Sequence, residues 1–480
     1  MSNSSTQVKR GFAWSLVENL SLQGIRFIIG IVMARLLSPS DYGMVGMLTV
    51  FIVISDLLVN SGIGSALNKM QDREERDFST AFLFNLSVGV CLYAVLFVFS
   101  GHIAAFYGIA QLEILMRVLA ISLIINSLCV VPMTKLQIAL NFRSISIISV
   151  ISAVVSGISG ICFALNGYKV FALVYSTIIG NAMRFVLLYL TVRWFPHTGF
   201  SLSSFKGMFS YGSKLLGGQL IDTLYTNVYP LVIGKAYSAT ALGYYSRAQG
   251  YANLPANTIT MMIFRVCFPA FCKQNNDLPQ LLVSYSMMMK YVAFGSFFVM
   301  VMLLSLARPL IIVMITDKWI ACASLLQVLC LASMWYPILE VNLSVVKALG
   351  NSSAVLKMQI INKSFAVAIL AFTLQYDIMV MCIGSVIVSL ISVLVNFFIS
   401  RKILGISIRG QMKPLAAPLL GGATMAVVIA LLLTITPNPY LQCVLGVAVG
   451  TITYVIVTQL AGFPVKATLM KLILHKNQEK

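Results

Sequence analysis

Apolar windows about 20 residues long recur between residues 12 and 461, separated only by short polar breaks. A helix of that length spans the roughly 30 Å hydrocarbon core of a bilayer. Inside hydrocarbon every backbone N–H and C=O must find its partner within the protein, and a helix satisfies its own. The pattern therefore predicts an all-α polytopic membrane protein. Composition agrees, since 59% of the 480 residues are hydrophobic and 10% are charged, against about 25% charged in soluble domains. No stretch is both polar and long enough to form a separate soluble domain.

About fourteen spans are expected, at 12–37, 43–67, 78–100, 113–134, 145–166, 170–194, 208–235, 241–270, 281–306, 322–346, 358–375, 378–400, 414–435 and 440–461. The first run is too long for a signal-peptide core and has no clear cleavage site, so it reads as the first span. With the N-terminus inside, twenty Lys and Arg fall on the inner side. Five, Arg35, Lys169, Lys235, Arg308 and Lys318, fall on the outer side. That asymmetry places both termini in the cytoplasm. It also accounts for most of the formal charge of +19, so nucleic acid is not an expected partner. The nine cysteines include no C-x-x-C pair and behave as small hydrophobes.

The stretch LLSPSDYGMVG, 36–46, forms a polar island between the first two spans. Ser38 suits a helix N-cap, Pro39 the first helical position, and Asp41 the third, where its carboxylate meets free N–H groups. Gly43 then allows close helix packing. Two hundred positions later AYSATALGYYS repeats the island, with Ser238 in the place of Ser38 and Gly243 in that of Gly43. An even number of spans separates the copies, so they predict a parallel internal repeat. The expected organisation is a six-helix lobe at 1–200, a second at 201–405, and two further helices with a tail at 406–480.

Charge within a bilayer marks function by default. At 100° per residue, Ser15, Glu18, Asn19, Gln23, Arg26 and Gly30 share one side of the first span. Thr49, Asp56, Asn60 and Gly64 form a stripe on the second. The seventh aligns Lys214, Asp222, Tyr225 and Tyr229, and the eighth aligns Arg247, Tyr251, Thr258 and Arg265. Arg184 sits on the sixth and Lys290 stands alone on the ninth. Bland readings compete with these. Asp56 and Asp222 can pair with Arg26 or Arg247 as structural bridges, Lys214 and Lys363 can snorkel, and Glu113 with Arg117 forms an i,i+4 ion pair. The pair of spans within 414–461 has no charged residue and reads as a lipid-facing appendage. No Walker A loop, G-x-S-x-G or H-E-x-x-H occurs, so soluble-enzyme chemistry has no foothold. Three dispersed histidines argue against a metal site.

Several stretches carry a family resemblance. ARLLSPSDYGMVGM (34–47), LQIALNFRSIS (136–146), RPLIIVMITDKWIACASLLQVL (308–329), VVKALGNSSAVLK (345–357) and FISRKILG (398–405) resemble landmarks of Wzx-type polysaccharide flippases. These belong to the multidrug/oligosaccharidyl-lipid/polysaccharide exporter superfamily. The resemblance implies two six-helix lobes around a V-shaped central cavity in the bacterial inner membrane, with two extra C-terminal helices. It implies flipping of an undecaprenyl-diphosphate-linked oligosaccharide by alternating access, alongside polysaccharide polymerase machinery and with no catalysis. Arg26, Arg184, Arg247, Arg265 and Lys290 are then the candidate cations for the diphosphate. Gln23, Asn60, Tyr225, Tyr229 and Tyr251 are candidate polar and aromatic cavity residues. Glu18, Asp56, Asp222 and Glu340 are candidates for H+ or Na+ coupling or for switching salt bridges, with no other cofactor. The rival readings are a drug/cation antiporter, which favours a carboxylate-rich cavity, and a membrane polymerase or glycosyltransferase, which favours longer or more acidic outer loops.

Overall fold

The structure, a computed structural model, describes residues 2–60 and 62–463. Every regular element among them is helical, as windows this apolar require. By contact the chain divides into two compact units, Met1–Gly243 and Tyr244–Lys480.

The first unit holds α1 (Ser2–Leu36), α2 (Pro39–Asn60), α3 (Ile63–Lys69), α4 (Glu75–Tyr107), α5 (Gln111–Leu119), α6 (Ile121–Ile138), α7 (Phe142–Leu165), α8 (Val170–Val192) and α9 (Leu202–Ala236). There α1 packs on α7, α7 on α8, and α6 on both α4 and α8, while α9 lies along α2, α3 and α4. The second unit holds nearly all of α10 (Ala239–Lys273), with α11 (Leu278–Ser305), α12 (Ala307–Ile315), α13 (Ile320–Ser333), α14 (Tyr336–Ala348), α15 (Ser352–Thr373), α16 (Ile378–Leu404), α17 (Ile408–Ile435) and α18 (Pro439–Leu460). There α11 packs against α13, α14 and α17, α16 against α13, α14 and α15, and α17 against α18.

Each of the fourteen expected windows falls on a helix or on a broken one. Twelve such segments among the described residues are long and apolar enough to cross a membrane, and the chain is a multi-pass membrane protein. Neither α1 nor α9 is in that set; Lys214, Asp222 and the tyrosines along α9 lower its mean hydropathy. Three of the twelve are interrupted, between α2 and α3, α5 and α6, and α13 and α14. Ser15 of the polar face on α1 and the basic residues from Lys466 onward lie outside the described side chains.

The polar breaks between windows are helix caps. Asn141, Ser201, Asp277, Asn351, Ser407 and Asn438 each accept a backbone N–H from the first turn of the helix that follows. At the α1–α2 turn the capping box forms as expected. The Ser38 amide and hydroxyl donate to Asp41 Oδ2 at 2.9 and 2.6 Å, and the Asp41 amide donates to Ser38 Oγ at 3.3 Å. At the second copy the Ala241 amide donates to Ser238 Oγ at 3.1 Å, with no carboxylate to return the bond. The two copies also touch. A Cβ on Gly43 would collide with the Ala239 carbonyl, and one on Gly243 would collide with the Pro39 carbonyl. Each partner is the other's equivalent 200 positions away, which is the reciprocity of a two-fold contact. This approach draws the first turn of α10 into the first unit. The Glu113–Arg117 pair also forms, and Arg117 further donates to Ser100 Oγ at 2.9 Å.

Candidate functional site

The break between α2 and α3 builds the site. Gly62 has φ 69°, in the left-handed region that glycine enters without strain. A Cβ there would also strike the Gly212 backbone on α9, so the two segments approach this closely only because residue 62 has no side chain. Irregular backbone at membrane depth is tolerated where it is buried in protein or lines a cavity. Here it does the latter. Asn60, Gly62, Gly64, Ser65 and Asn68 line a cavity of 530 Å³ completed by α6, α8 and α9.

One carboxylate and one guanidinium face this space. Asp56 on α2 accepts a hydrogen bond from Asn126 Nδ2 on α6 at 3.0 Å. Arg184 on α8 lines the same cavity. Among the described residues Arg184 makes no ion pair within 4.0 Å. Around the two charges stand amides. Asn60 Nδ2 donates to the Asp56 carbonyl at 2.8 Å, Asn68 Nδ2 donates to Gln137 Oε1 at 3.0 Å, and Gln219 comes from α9. The helices carrying the site are braced by Lys135 on α6, which meets Glu75 on α4 at 3.2 Å. The lining is thus one positive group, one negative group and a ring of neutral donors and acceptors.

Of the residues singled out in the sequence, Asp56, Asn60, Gly64 and Arg184 come together here. Asn126, Asn68, Gln137 and Gln219 were not foreseen. For Asn126 and Gln137 a signal was available on α6, where they and Thr134 return to one helical face.

The other candidates lie elsewhere. Glu18 accepts the Ser146 hydroxyl of α7 at 3.3 Å, Gln23 is half-buried and Arg26 is exposed on α1. On α9, Tyr225 and Tyr229 are half-buried and Asp222 is exposed, while on α10 Arg247, Tyr251 and Arg265 are half-buried. None of them lines this cavity. Lys290 on α11 donates to the Gly462 carbonyl at 3.3 Å and stands 5.1 Å over the Phe463 ring, against the end of α18. Glu340 on α14 lines a second cavity, within the second unit. It takes the Ser344 hydroxyl at 3.2 Å and faces Lys347 at 3.8 Å.

The teichuronic acid biosynthesis protein TuaB of Bacillus subtilis is 27% identical over 355 residues, covering 73% of this chain and 73% of its own. The succinoglycan biosynthesis transport protein ExoT of Rhizobium meliloti is 22% identical, covering 94% of this chain and 92% of its own. The lipid II flippase MurJ, in an inward closed conformation, shares the fold with a TM-score of 0.74 at 16% identity, over 94% of this chain and 98% of that one. Residues 32–324, more than half of the chain, match the family described as polysaccharide biosynthesis protein. The chain belongs to that family.

Proposed function

We propose that the protein carries a polyprenyl-diphosphate-linked oligosaccharide from the inner to the outer leaflet of a bacterial cytoplasmic membrane, for assembly of a surface polysaccharide. It moves its substrate without making or breaking a bond. Neither a diphosphate nor a hydrated glycan enters hydrocarbon unaided, so a carrier must replace their water with protein groups. The observation that carries the reading is the first-unit cavity, where a broken helix, amides and the Arg184 guanidinium converge. A guanidinium meets phosphate oxygens through two parallel N–H bonds, and among the described residues Arg184 makes no ion pair within 4.0 Å. The family match and the transport role named for ExoT support the same reading.

In this proposal α1 and α9 also cross the membrane, giving fourteen spans and both termini in the cytoplasm. The lobes 1–200 and 201–405 form a parallel repeat that works by alternating access, and 406–480 is an addition to it. The reciprocal Gly43 and Gly243 contact supports the repeat. Arg26, Arg247 and Arg265 supply further positive charge along the route, and Asp56 exchanges partners, or a proton or sodium ion, during the cycle. The released lipid-linked unit passes to polymerase machinery.

Arg184→Ala tests the site. Losing a charge-assisted contact worth about 1.5–3 kcal/mol should weaken binding of bare undecaprenyl diphosphate by purified protein in nanodiscs roughly ten- to hundredfold. Arg184→Lys should recover only part of the loss. Unchanged affinity in both variants would remove Arg184 from the headgroup site.

A further inference from the structure

A carboxylate is out of place in a cavity that takes only a diphosphate. Asp56 and Arg184 line one space, yet no ion pair within 4.0 Å joins them. Asp56 therefore does not neutralise the guanidinium by contact. At longer range it repels any anion drawn to Arg184. A ligand that carries hydrogen-bond donors beside its phosphates reverses the sign of that contribution.

The lining is arranged for such donors. Asn126 Nδ2 of α6 donates to Asp56 Oδ1 at 3.0 Å and so orients the carboxyl group. Asp56 Oδ2 accepts no hydrogen bond from the described residues, and it is not among the oxygens buried without a partner. It is open to a ligand. Asn60 Nδ2 is engaged by the Asp56 carbonyl, and Asn68 Nδ2 by Gln137 Oε1. Both asparagines keep an Oδ1 that has no partner among the described residues. Three acceptors thus share the cavity with Arg184. Phosphate oxygens, which also accept, cannot bond to them, whereas a saccharide hydroxyl can donate to any of the three. In a polyprenyl-diphosphate-linked glycan the first ring joins the terminal phosphate through one oxygen, so its hydroxyls lie beside the phosphates by covalent necessity. The volume of 530 Å³ falls within the roughly 300–1,000 Å³ of small-molecule sites.

We propose that the first-unit cavity reads the sugar joined directly to the diphosphate. Asp56 Oδ2 accepts a ring hydroxyl while Arg184 holds a phosphate. The assignment rests on the flippase reading above and deepens it, because the site then recognises the junction of glycan and lipid rather than the headgroup alone. The exchange of partners at Asp56 becomes an exchange with substrate.

The test compares two probes on purified protein in nanodiscs, in sodium-free buffer: undecaprenyl diphosphate, bare or bearing one glucose. The quantity read is the ratio of their dissociation constants. The parent should bind the glucosylated lipid about tenfold more tightly, the size of one charge-assisted hydrogen bond. In Asp56→Ala that ratio should fall toward one. In Asp56→Asn it should fall part of the way, since a neutral acceptor makes a bond roughly half as strong. The bare lipid should bind both variants at least as tightly as the parent, because a like charge has gone. A ratio of one in the parent, with the bare lipid bound, would overturn the subsite and leave the flippase reading standing. So would a ratio that survives in both variants. Equal weakening of both lipids by Asp56→Asn would make Asp56 a support for Arg184 and overturn it too. Sodium-dependent affinity that both variants abolish, with the ratio intact, would replace the sugar by a cation. If neither lipid binds the parent, the flippase reading fails and the subsite falls with it.

Discussion

Gln411 shows how much a single polar residue can decide. It is 1% exposed in the first turn of α17. Its Oε1 accepts from Ser400 Oγ of α16 at 2.9 Å, Tyr285 Oη of α11 at 3.2 Å and Asn342 Nδ2 of α14 at 3.3 Å. Its Nε2 donates to the Phe397 and Ile406 carbonyls at 3.1 and 3.3 Å. Four helices are tied through one amide. In the sequence Gln411 stands just before the apolar run at 414, outside the charge-free stretch 414–461 that reads as a lipid-facing appendage. Their outer faces fit that description, yet one face is docked. Tyr454 of α18 donates to the Phe294 carbonyl of α11 at 2.7 Å, and Lys290 holds the end of α18 by its charge. Gln411→Ala would strip the Tyr285 hydroxyl of its acceptor and take one partner each from Ser400 and Asn342, which keep others. Buried hydrogen bonds between membrane helices average about 0.6 kcal/mol and reach about 1.7, so a loss of about 1–2 kcal/mol is expected. The check is the melting temperature of detergent-purified protein, and an unshifted Tm would show that the knot holds nothing together.

At the scale of elements, the helix starts were written locally and the helix contacts were not. Ser38, Pro39 and Asp41 define the start of α2 through bonds that span three residues, so their roles follow from spacing alone. The partner of Gly43 is Ala239, and nothing near Gly43 names it. What the sequence did contain was the echo at Ser238 and Gly243, and the structure turns that echo into a physical contact. Backbone meets backbone there in both directions, which no other side chain permits. Gly43→Ala should therefore force the starts of α2 and α10 apart, at the roughly 1–3 kcal/mol typical of overpacking. Gly243→Ala should do the same to a similar extent, because each glycine faces the carbonyl that corresponds to the other's. Thermal unfolding of the two variants side by side would read this. A silent substitution at either glycine, with a large effect at the other, would break the claimed equivalence.

For the whole molecule, the helical architecture was legible because hydrocarbon leaves a long apolar segment one common solution. The cavity was half legible. Asp56, Asn60 and Arg184 stood out as costly groups in spans, whereas Asn126 and Gln137 are neutral amides whose partners, Asp56 and Asn68, lie about seventy positions away in the chain. Lys290 and Glu18 stood out equally, and the structure engages them in contacts between helices. Orientation across the membrane is a property of loop charge, and it remains to be tied to the fold. The twenty-to-five distribution of Lys and Arg predicts that the turns at Ser40 and Thr240 lie on the outer face, and the contact between Gly43 and Ala239 puts both turns at one end of the first unit. Ser40→Cys and Thr240→Cys, each in a background whose accessible native cysteines are replaced, should both react with a membrane-impermeant maleimide added to intact cells. Lys206→Cys, on the inner side of the same tally, should react only after lysis. Reaction at Ser40 and Thr240 from opposite sides would contradict the parallel repeat. Reaction of both only after lysis would keep the repeat and invert the protein, sending its termini outside.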